Sequence, residues 1–300
     1  LSLAAVEIME LGRKFSSILY AILAVSVFFL AVINFTVAWG VLAVMSLVVL
    51  VYSFYLNKFE ERAPVHGGAA AGLGNKVPGV SIAVLLISLM FLLSSDGVSG
   101  YLSSLFKTSQ VEVRPSWSTT FDVAKGVFSE KPIFGNGPNR FSEAWLLYKP
   151  AELNNTIFWA TDFNAGVGLT PTLAVTGGAA GVAALIFFFA VLLLKGMRST
   201  ASLFGSSRSS QYLVFSSFLG AVYLWVFATL YVPNAAIMTL AFLMTGLFVA
   251  SLASEKLAGT IEFSLLGNPK IGFVSVLAII FLIVSSAAFG YVVLEKTLSV

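Results

Sequence analysis

The sequence contains no cysteine and only one histidine, His66. Without cysteine the chain can form neither a disulfide nor a thiolate metal site, and one histidine cannot build a histidine cluster. The net charge is only +3, and the charges are scattered along 300 residues, which does not indicate nucleic-acid binding. These absences exclude disulfide frameworks and cysteine- or histidine-rich metal centres.

Charged residues are also scarce. They make up 10% of the chain, whereas a soluble protein of this size has about a quarter. Hydrophobic residues make up 58%, and the mean hydropathy is +0.94. No fold in water can hide so much apolar surface, so we predict an integral membrane protein.

Apolar runs near the length of a membrane-spanning helix, roughly 20 residues, are separated by short polar breaks. They lie at 15–33, 37–56, 78–95, 165–194, 211–231, 235–253 and 271–294. The pattern predicts an all-α polytopic membrane protein with about seven transmembrane helices. Residues 1–95 would hold helices 1–3 with a cytoplasmic loop at 57–76, and residues 165–300 would hold helices 4–7. Because the chain begins with Leu1 inside an apolar stretch, we expect it to be part of a longer protein.

Lysine and arginine in the short loops set the orientation, because such loops are enriched in basic residues on the cytoplasmic side. With the N-terminus inside, the basic short loops are cytoplasmic. The uncharged turns at 34–36 and 232–234 are then external. The long polar segment at 96–164 lies outside as one large loop.

The external loop contains an amphipathic pattern. Trp117, Phe121, Ala124 and Phe128 recur at helical spacing, and Ser116 or Ser118 is suited to cap the helix. Such a helix either lies in the bilayer interface with its aromatic face in the headgroups or packs as an ordinary loop helix. Both interpretations remain open on the sequence.

Several short motifs follow one another in this region. Arg114-Pro115-x-Trp117 precedes the helix, Lys131-Pro132-Ile133-Phe134-Gly135-Asn136-Gly137 and Phe141 follow it, and then come Phe163-Asn164 and the segment at 175–181, VTGGAAG. Their order over about 111–194 resembles the large external loop of the O-antigen ligase and O-antigen polymerase superfamily. Two positions depart from the family pattern: Val175 stands where the family has glutamate, and Phe163 stands where it has the histidine thought to activate the acceptor hydroxyl.

The resemblance implies a multi-pass protein of the bacterial cytoplasmic (inner) membrane that works without a cofactor. It implies transfer of a glycan from a polyprenyl-diphosphate carrier to the hydroxyl of a lipid or glycan acceptor, at the external face. Its partners would be these two substrates and the bilayer, and no nucleic acid. Ligation and polymerisation are both compatible with the motifs.

Arginine binds phosphate oxygens through a planar fork and stays charged. We therefore predict that Arg114 and Arg140 hold the diphosphate, with Lys131 assisting. Ion pairs with Glu112 and Glu143 are the structural alternative for the two arginines. Asp162 is the candidate base for the acceptor hydroxyl, or else a helix cap. The motif residues expected to be structural are Trp117, Pro132, Gly135, Gly137, Phe141 and Asn164, with the two glycines in turns.

Two alternatives belong to other classes of protein. A transporter or channel is one, but no ionisable residue lies deep within a predicted span, which disfavours an ion-coupled carrier. A non-catalytic scaffold with the ligase fold is the other, because the family histidine is replaced. The aromatic residues of the loop are predicted to be either sugar platforms or membrane-interface anchors: Trp117, Trp145, Tyr148 and Trp159.

Overall fold

The computed structural model describes residues 1–9, 13–33, 35–62, 78–93, 105, 113–156, 158–259 and 269–298. The regular elements in these ranges are helices. They are α1 (Ser2–Ile8), α2 (Arg13–Ile33), α3 (Thr36–Arg62), α4 (Gly79–Leu93), α5 (Trp117–Glu130), α6 (Phe141–Tyr148), a short 3-10 helix (Ala151–Asn155), α7 (Leu169–Ser202), α8 (Arg208–Leu230), α9 (Ala235–Ser254) and α10 (Pro269–Leu298).

Five described helices are long and apolar enough to cross a membrane: Lys14–Ile33, Thr36–Lys58, Leu169–Ser202, Arg208–Leu230 and Ala235–Ser254. Two shorter apolar helical stretches, Gly79–Leu93 and Gly272–Ser286, lie within the third and seventh predicted spans. The all-helical fold, with helices long and apolar enough to cross a membrane, is thus confirmed in the described residues, while the count of seven and the external position of the loop remain predictions.

Several helices begin or end at residues other than the bounds of the predicted spans. Helix α3 continues to Arg62, so the first six residues of the predicted cytoplasmic loop at 57–76 are helical. The remaining loop residues from 63 onward lie outside the described ranges, as does His66. Helix α7 begins at Leu169 rather than near 165, and its N-cap residue is Gly168.

Residues Leu1–Leu257 form one compact unit, and Ala258–Val300 form a second. In the first unit α1 packs with α3, α4 and α8 around a cluster that includes Val49, Tyr52 and Phe215. The Glu7 carboxylate accepts hydrogen bonds from Ser81 N (2.9 Å) and Ser81 Oγ (3.2 Å). Ser81 lies in the first turn of α4, where a negative charge complements the helix dipole.

Helices α5 and α6, which lie between α4 and α7 in the sequence, pack against each other and against α7. The Ser116 side chain caps α5 by accepting a hydrogen bond from Thr119 N at 3.1 Å, which confirms one of the two predicted caps. The shared core consists of Val123, Ala124, Val127, Phe141, Ala144, Trp145, Phe163 and Val175. The helix therefore packs against protein through one face.

The buried face of α5 agrees with the predicted one only in part. Val123 and Val127 are buried with Ala124, whereas Trp117 and Phe121 are 39% and 50% exposed. Gly126 faces α6, and a Cβ there would collide with the ring of Tyr148. The glycine that weakens the helix on propensity thus allows α6 to approach.

Candidate functional site

Helix α7 is interrupted at Gly178, whose backbone has φ 59° and ψ −156°. An interruption leaves N–H and C=O groups without partners inside the helix, which is costly in a helix surrounded by hydrocarbon. A segment that we call the insertion loop (residues 131–140) enters this gap. It forms four backbone hydrogen bonds: Asn136 N to Val175 O (2.8 Å), Gly137 N to Thr176 O (3.0 Å), Ala179 N to Pro132 O (2.9 Å) and Ala180 N to Ile133 O (3.0 Å).

The insertion loop therefore bonds to carbonyls before the interruption and to N–H groups after it. The carbonyls of Val175 and Thr176 and the N–H groups of Ala179 and Ala180 all obtain partners. This assigns a structural role to Pro132 and Gly137. Gly135 and Gly137 both have positive φ, 64° and 103°, so their predicted position in turns is confirmed. The N–H groups of Ala179 and Ala180 bond to the protein itself, so this pair does not form an anion site.

On the outer side of the insertion loop, Asn136 bonds to the side chain of Lys131 and to the backbone of Arg140. Lys131 Nζ donates a hydrogen bond to Asn136 Oδ1 at 2.9 Å, and Asn136 Nδ2 donates one to Arg140 O at 3.1 Å. Lys131 and Arg140 are exposed. Asn136 was not predicted as a site residue, although its position between two glycines was a signal that its backbone is constrained.

Arg140 also forms the ion pair that was its structural alternative. Its Nε lies 3.6 Å from Glu143 Oε1, and both side chains are more than half exposed. Exposed pairs of this kind contribute about 0–1 kcal/mol. A ligand with a higher negative charge can therefore compete with Glu143 at little cost.

Arg114 has a different environment. Its guanidinium carbon lies 5.0 Å from the ring centroid of Tyr231, the residue that follows α8. Tyr231 in turn contacts Phe35 edge-on, with the ring centroids 4.8 Å apart. Arg114 is thus held against the end of α8, whereas Arg140 lies on the insertion loop. Glu112, the predicted partner of Arg114, lies outside the described residues.

Asp162 and Asn164 are exposed, and Phe163 between them is buried. The Phe163 ring contacts Trp145 edge-on, with centroids 4.9 Å apart at 80°. Phe163, which stands where the family has histidine, is therefore part of the hydrophobic core. The alternative role predicted for Asp162, as the cap of α7, was wrong, because Gly168 occupies that position.

The four aromatic residues of the loop have different roles. Trp145 is buried in the core, and its Nε1 has no hydrogen-bond partner among the described residues. Tyr148 packs on Gly126 and hydrogen-bonds to Glu130. That bond, partial burial and the negative charge of Glu130 raise the pKa of Tyr148. Trp159, at 63%, and Trp117 keep exposed ring surface, so only these two remain candidates for contact with a sugar or the interface.

Among the described residues, no three histidine or acidic side chains are grouped so that they could hold a metal ion. Comparison of the chain with protein-family models, curated proteins and solved structures gives no match. The family resemblance therefore depends on the sequence motifs alone.

Proposed function

We propose that the chain is a glycosyltransferase of the O-antigen ligase or O-antigen polymerase type. It would transfer a glycan from a polyprenyl-diphosphate carrier to an acceptor hydroxyl at the external face of the bacterial cytoplasmic membrane. The observation that carries this proposal is that two exposed cationic residues, Lys131 and Arg140, lie on one loop that is bonded into α7. Asn136 of the same loop bonds to the Lys131 ammonium and to the Arg140 backbone carbonyl.

The reaction makes a demand that this loop can meet. The acceptor oxygen attacks the anomeric carbon, the bond from that carbon to the diphosphate oxygen breaks, and the electron pair leaves with the diphosphate. Negative charge therefore grows on the leaving group. Preorganised donors aimed at developing charge commonly contribute on the order of 3 kcal/mol each. Four backbone hydrogen bonds hold the loop in place before the substrate arrives.

Arg114 is proposed as a further diphosphate ligand. Its contact with Tyr231 restricts the guanidinium plane, because the cation is favoured over the ring face. A restricted guanidinium loses less freedom when it binds phosphate oxygens. A lysine at position 114 would keep the positive charge but would lack the planar guanidinium that binds two phosphate oxygens at once.

The acceptor hydroxyl must lose a proton, and Asp162 is the proposed base. It is exposed and lies beside Phe163, the position at which the family has histidine. We expect a modest contribution of about tenfold, below the usual range of general base catalysis.

The non-catalytic scaffold is the second candidate, and one observation favours it. Phe163 is buried against Trp145, so the position of the family's base has been incorporated into the core. The transporter or channel alternative has no comparable support in the described residues.

Transfer of a labelled glycan by the purified chain, reconstituted with a polyprenyl-diphosphate glycan and a hydroxyl acceptor, separates these candidates. If the chain is an enzyme, product forms, and the rate of formation is lower in Asp162→Asn. The rate changes little in Asp122→Asn, which replaces a matched exposed aspartate on α5. Tight binding of the donor without product would favour the scaffold. Absence of both binding and product would refute the proposal.

A further inference from the structure

Helices α5 and α7 enclose an apolar groove of about 1160 Å³ that the proposed reaction does not use. One wall consists of the aromatic side chains Trp117, Phe121 and Phe128 of α5. The other wall consists of small or branched apolar side chains of α7, including Ala179 and Ala183. Large rings on one helix thus face alanines on the other, which leaves the space between them open.

The groove borders the surface of a helix that is apolar and long enough to cross a membrane. Ile186 lines the groove and is 61% exposed, and the next residue, Phe187, is 70% exposed. A bilayer around α7 places hydrocarbon chains against this surface. Since water in an apolar groove is unfavourable relative to hydrocarbon, an acyl chain is the expected occupant.

Charged residues at the groove indicate which headgroup accompanies that chain. Asp122 and Lys125 both line it, with Lys125 Nζ 3.3 Å from Asp122 Oδ1 and side chains 47% and 78% exposed. An exposed pair one turn apart contributes little, so each charge can exchange its partner for a headgroup. Adjacent positive and negative groups match the phosphate and ammonium of a zwitterionic lipid, whereas an anionic headgroup would be repelled by Asp122.

We propose that this groove binds one phospholipid of the phosphatidylethanolamine class. An acyl chain lies between Phe121 and Ala183, the phosphate contacts Lys125, and the ammonium donates hydrogen bonds to Asp122. Ethanolamine is preferred over choline because its primary ammonium carries N–H donors for a charge-assisted bond. This lipid site is independent of the proposed glycan transfer.

Trp117 reports directly on the occupant. The whole chain is reconstituted in mixed phosphatidylethanolamine and phosphatidylglycerol vesicles in which one of the two lipids carries dibrominated acyl chains, which quench tryptophan on contact. The contribution of Trp117 is the difference in tryptophan fluorescence between the unaltered chain and Trp117→Phe. We expect quenching about threefold stronger with brominated phosphatidylethanolamine than with brominated phosphatidylglycerol, the preference that one exposed charge contact provides.

Three variants sharpen the test. Ala183→Phe fills the groove and should abolish the lipid preference, whereas Ala184→Phe, at the neighbouring exposed position outside the groove, should preserve it. Asp122→Asn makes the rim cationic and should shift the preference to phosphatidylglycerol without altering the groove wall. Equal quenching by both lipids, or a preference unaffected by Ala183→Phe and Asp122→Asn, would overturn the proposal. Displacement of brominated phosphatidylethanolamine by a small mole fraction of polyprenyl monophosphate would also overturn it and assign the groove to an isoprenoid.

Discussion

Gly135 and Gly178 face each other where the insertion loop enters the interruption of α7. Both have positive φ, and a Cβ on Gly135 would lie 2.6 Å from Gly178 N, while one on Gly178 would lie 2.5 Å from Gly135 N. Neither glycine can carry a side chain unless the backbones separate. The contact between loop and helix therefore depends on the absence of two side chains.

The first prediction concerns this contact. Gly135→Ala and Gly178→Ala should each destabilise the chain by about 2–4 kcal/mol, from left-handed strain and weakened backbone hydrogen bonds. Thermal unfolding in detergent measures the loss. Gly246→Ala in α9 is the control, because a Cβ there meets nothing within 4 Å. If both variants unfold like the control, the loop does not support α7.

A second prediction concerns Asn136, which accepts a hydrogen bond from the Lys131 ammonium and donates one to the backbone carbonyl of Arg140. Asn136→Ala should preserve the fold and lower glycan transfer about fivefold, since one hydrogen bond of roughly 1 kcal/mol no longer orients the lysine. Asn154→Ala, an exposed asparagine of the 3-10 helix, should transfer at the original rate. Equal rates in the two variants would show that Asn136 does not position the lysine.

Tyr148 supplies a prediction about pH. Its folded pKa is raised, first by its hydrogen bond to Glu130. Above the ordinary tyrosine pKa, near 10, the unfolded chain loses this proton while the folded chain retains it. The folded state therefore loses stability as pH rises through that window. Tyr148→Phe should reduce this alkaline loss of stability, as measured by unfolding at several pH values.

The same pair can be tested by spectroscopic titration. An ultraviolet titration of Glu130→Gln, compared with the unaltered chain, should show one tyrosine ionising at lower pH, because the negative charge is removed and amide bonding is weaker than carboxylate bonding. Glu152→Gln, an exposed glutamate, is the matched control. An unchanged titration in Glu130→Gln would contradict the assigned cause.

A fourth prediction concerns the membrane topology. Because the chain contains no cysteine, an introduced cysteine is its only thiol. A cysteine at Ser129, in α5, should react with an impermeant thiol reagent in intact cells, because the loop is predicted to be external. A cysteine at Ser209, early in α8, should react only after the cells are opened. Both serines are exposed. The reverse pattern would invert the orientation and exclude the proposed external site.

The sequence predicted α5 because the signals of that helix are local, whereas it did not locate α6 or the 3-10 helix. Ser116, one of the two serines predicted as the cap of α5, does cap that helix. The sequence did not predict the whole buried face, because Trp117 and Phe121 look like core residues until α6 and α7 are known. Hydrophobic spacing identifies a helix, but tertiary partners decide which of its two apolar faces is covered.

The glycines at 177–181 show the same limit. The structure shows that a loop closely approaches the helix at Gly178. Nothing local specifies a pairing between residues 132–137 and 175–180, which are separated by about forty positions. Asp162 illustrates a second limit, since its exposure depends on tertiary packing that the local sequence does not specify.

The central claim, that the insertion loop stabilises the departing diphosphate, is tested most directly by the rate of glycan transfer in Lys131→Ala and Arg140→Ala. Lys195→Ala and Arg198→Ala, exposed residues near the far end of α7, are the matched controls. We predict that kcat falls about a hundredfold in each loop variant, as expected for loss of one preorganised charged donor, while the controls keep the original kcat. Transfer at an unchanged rate in both loop variants would contradict the account.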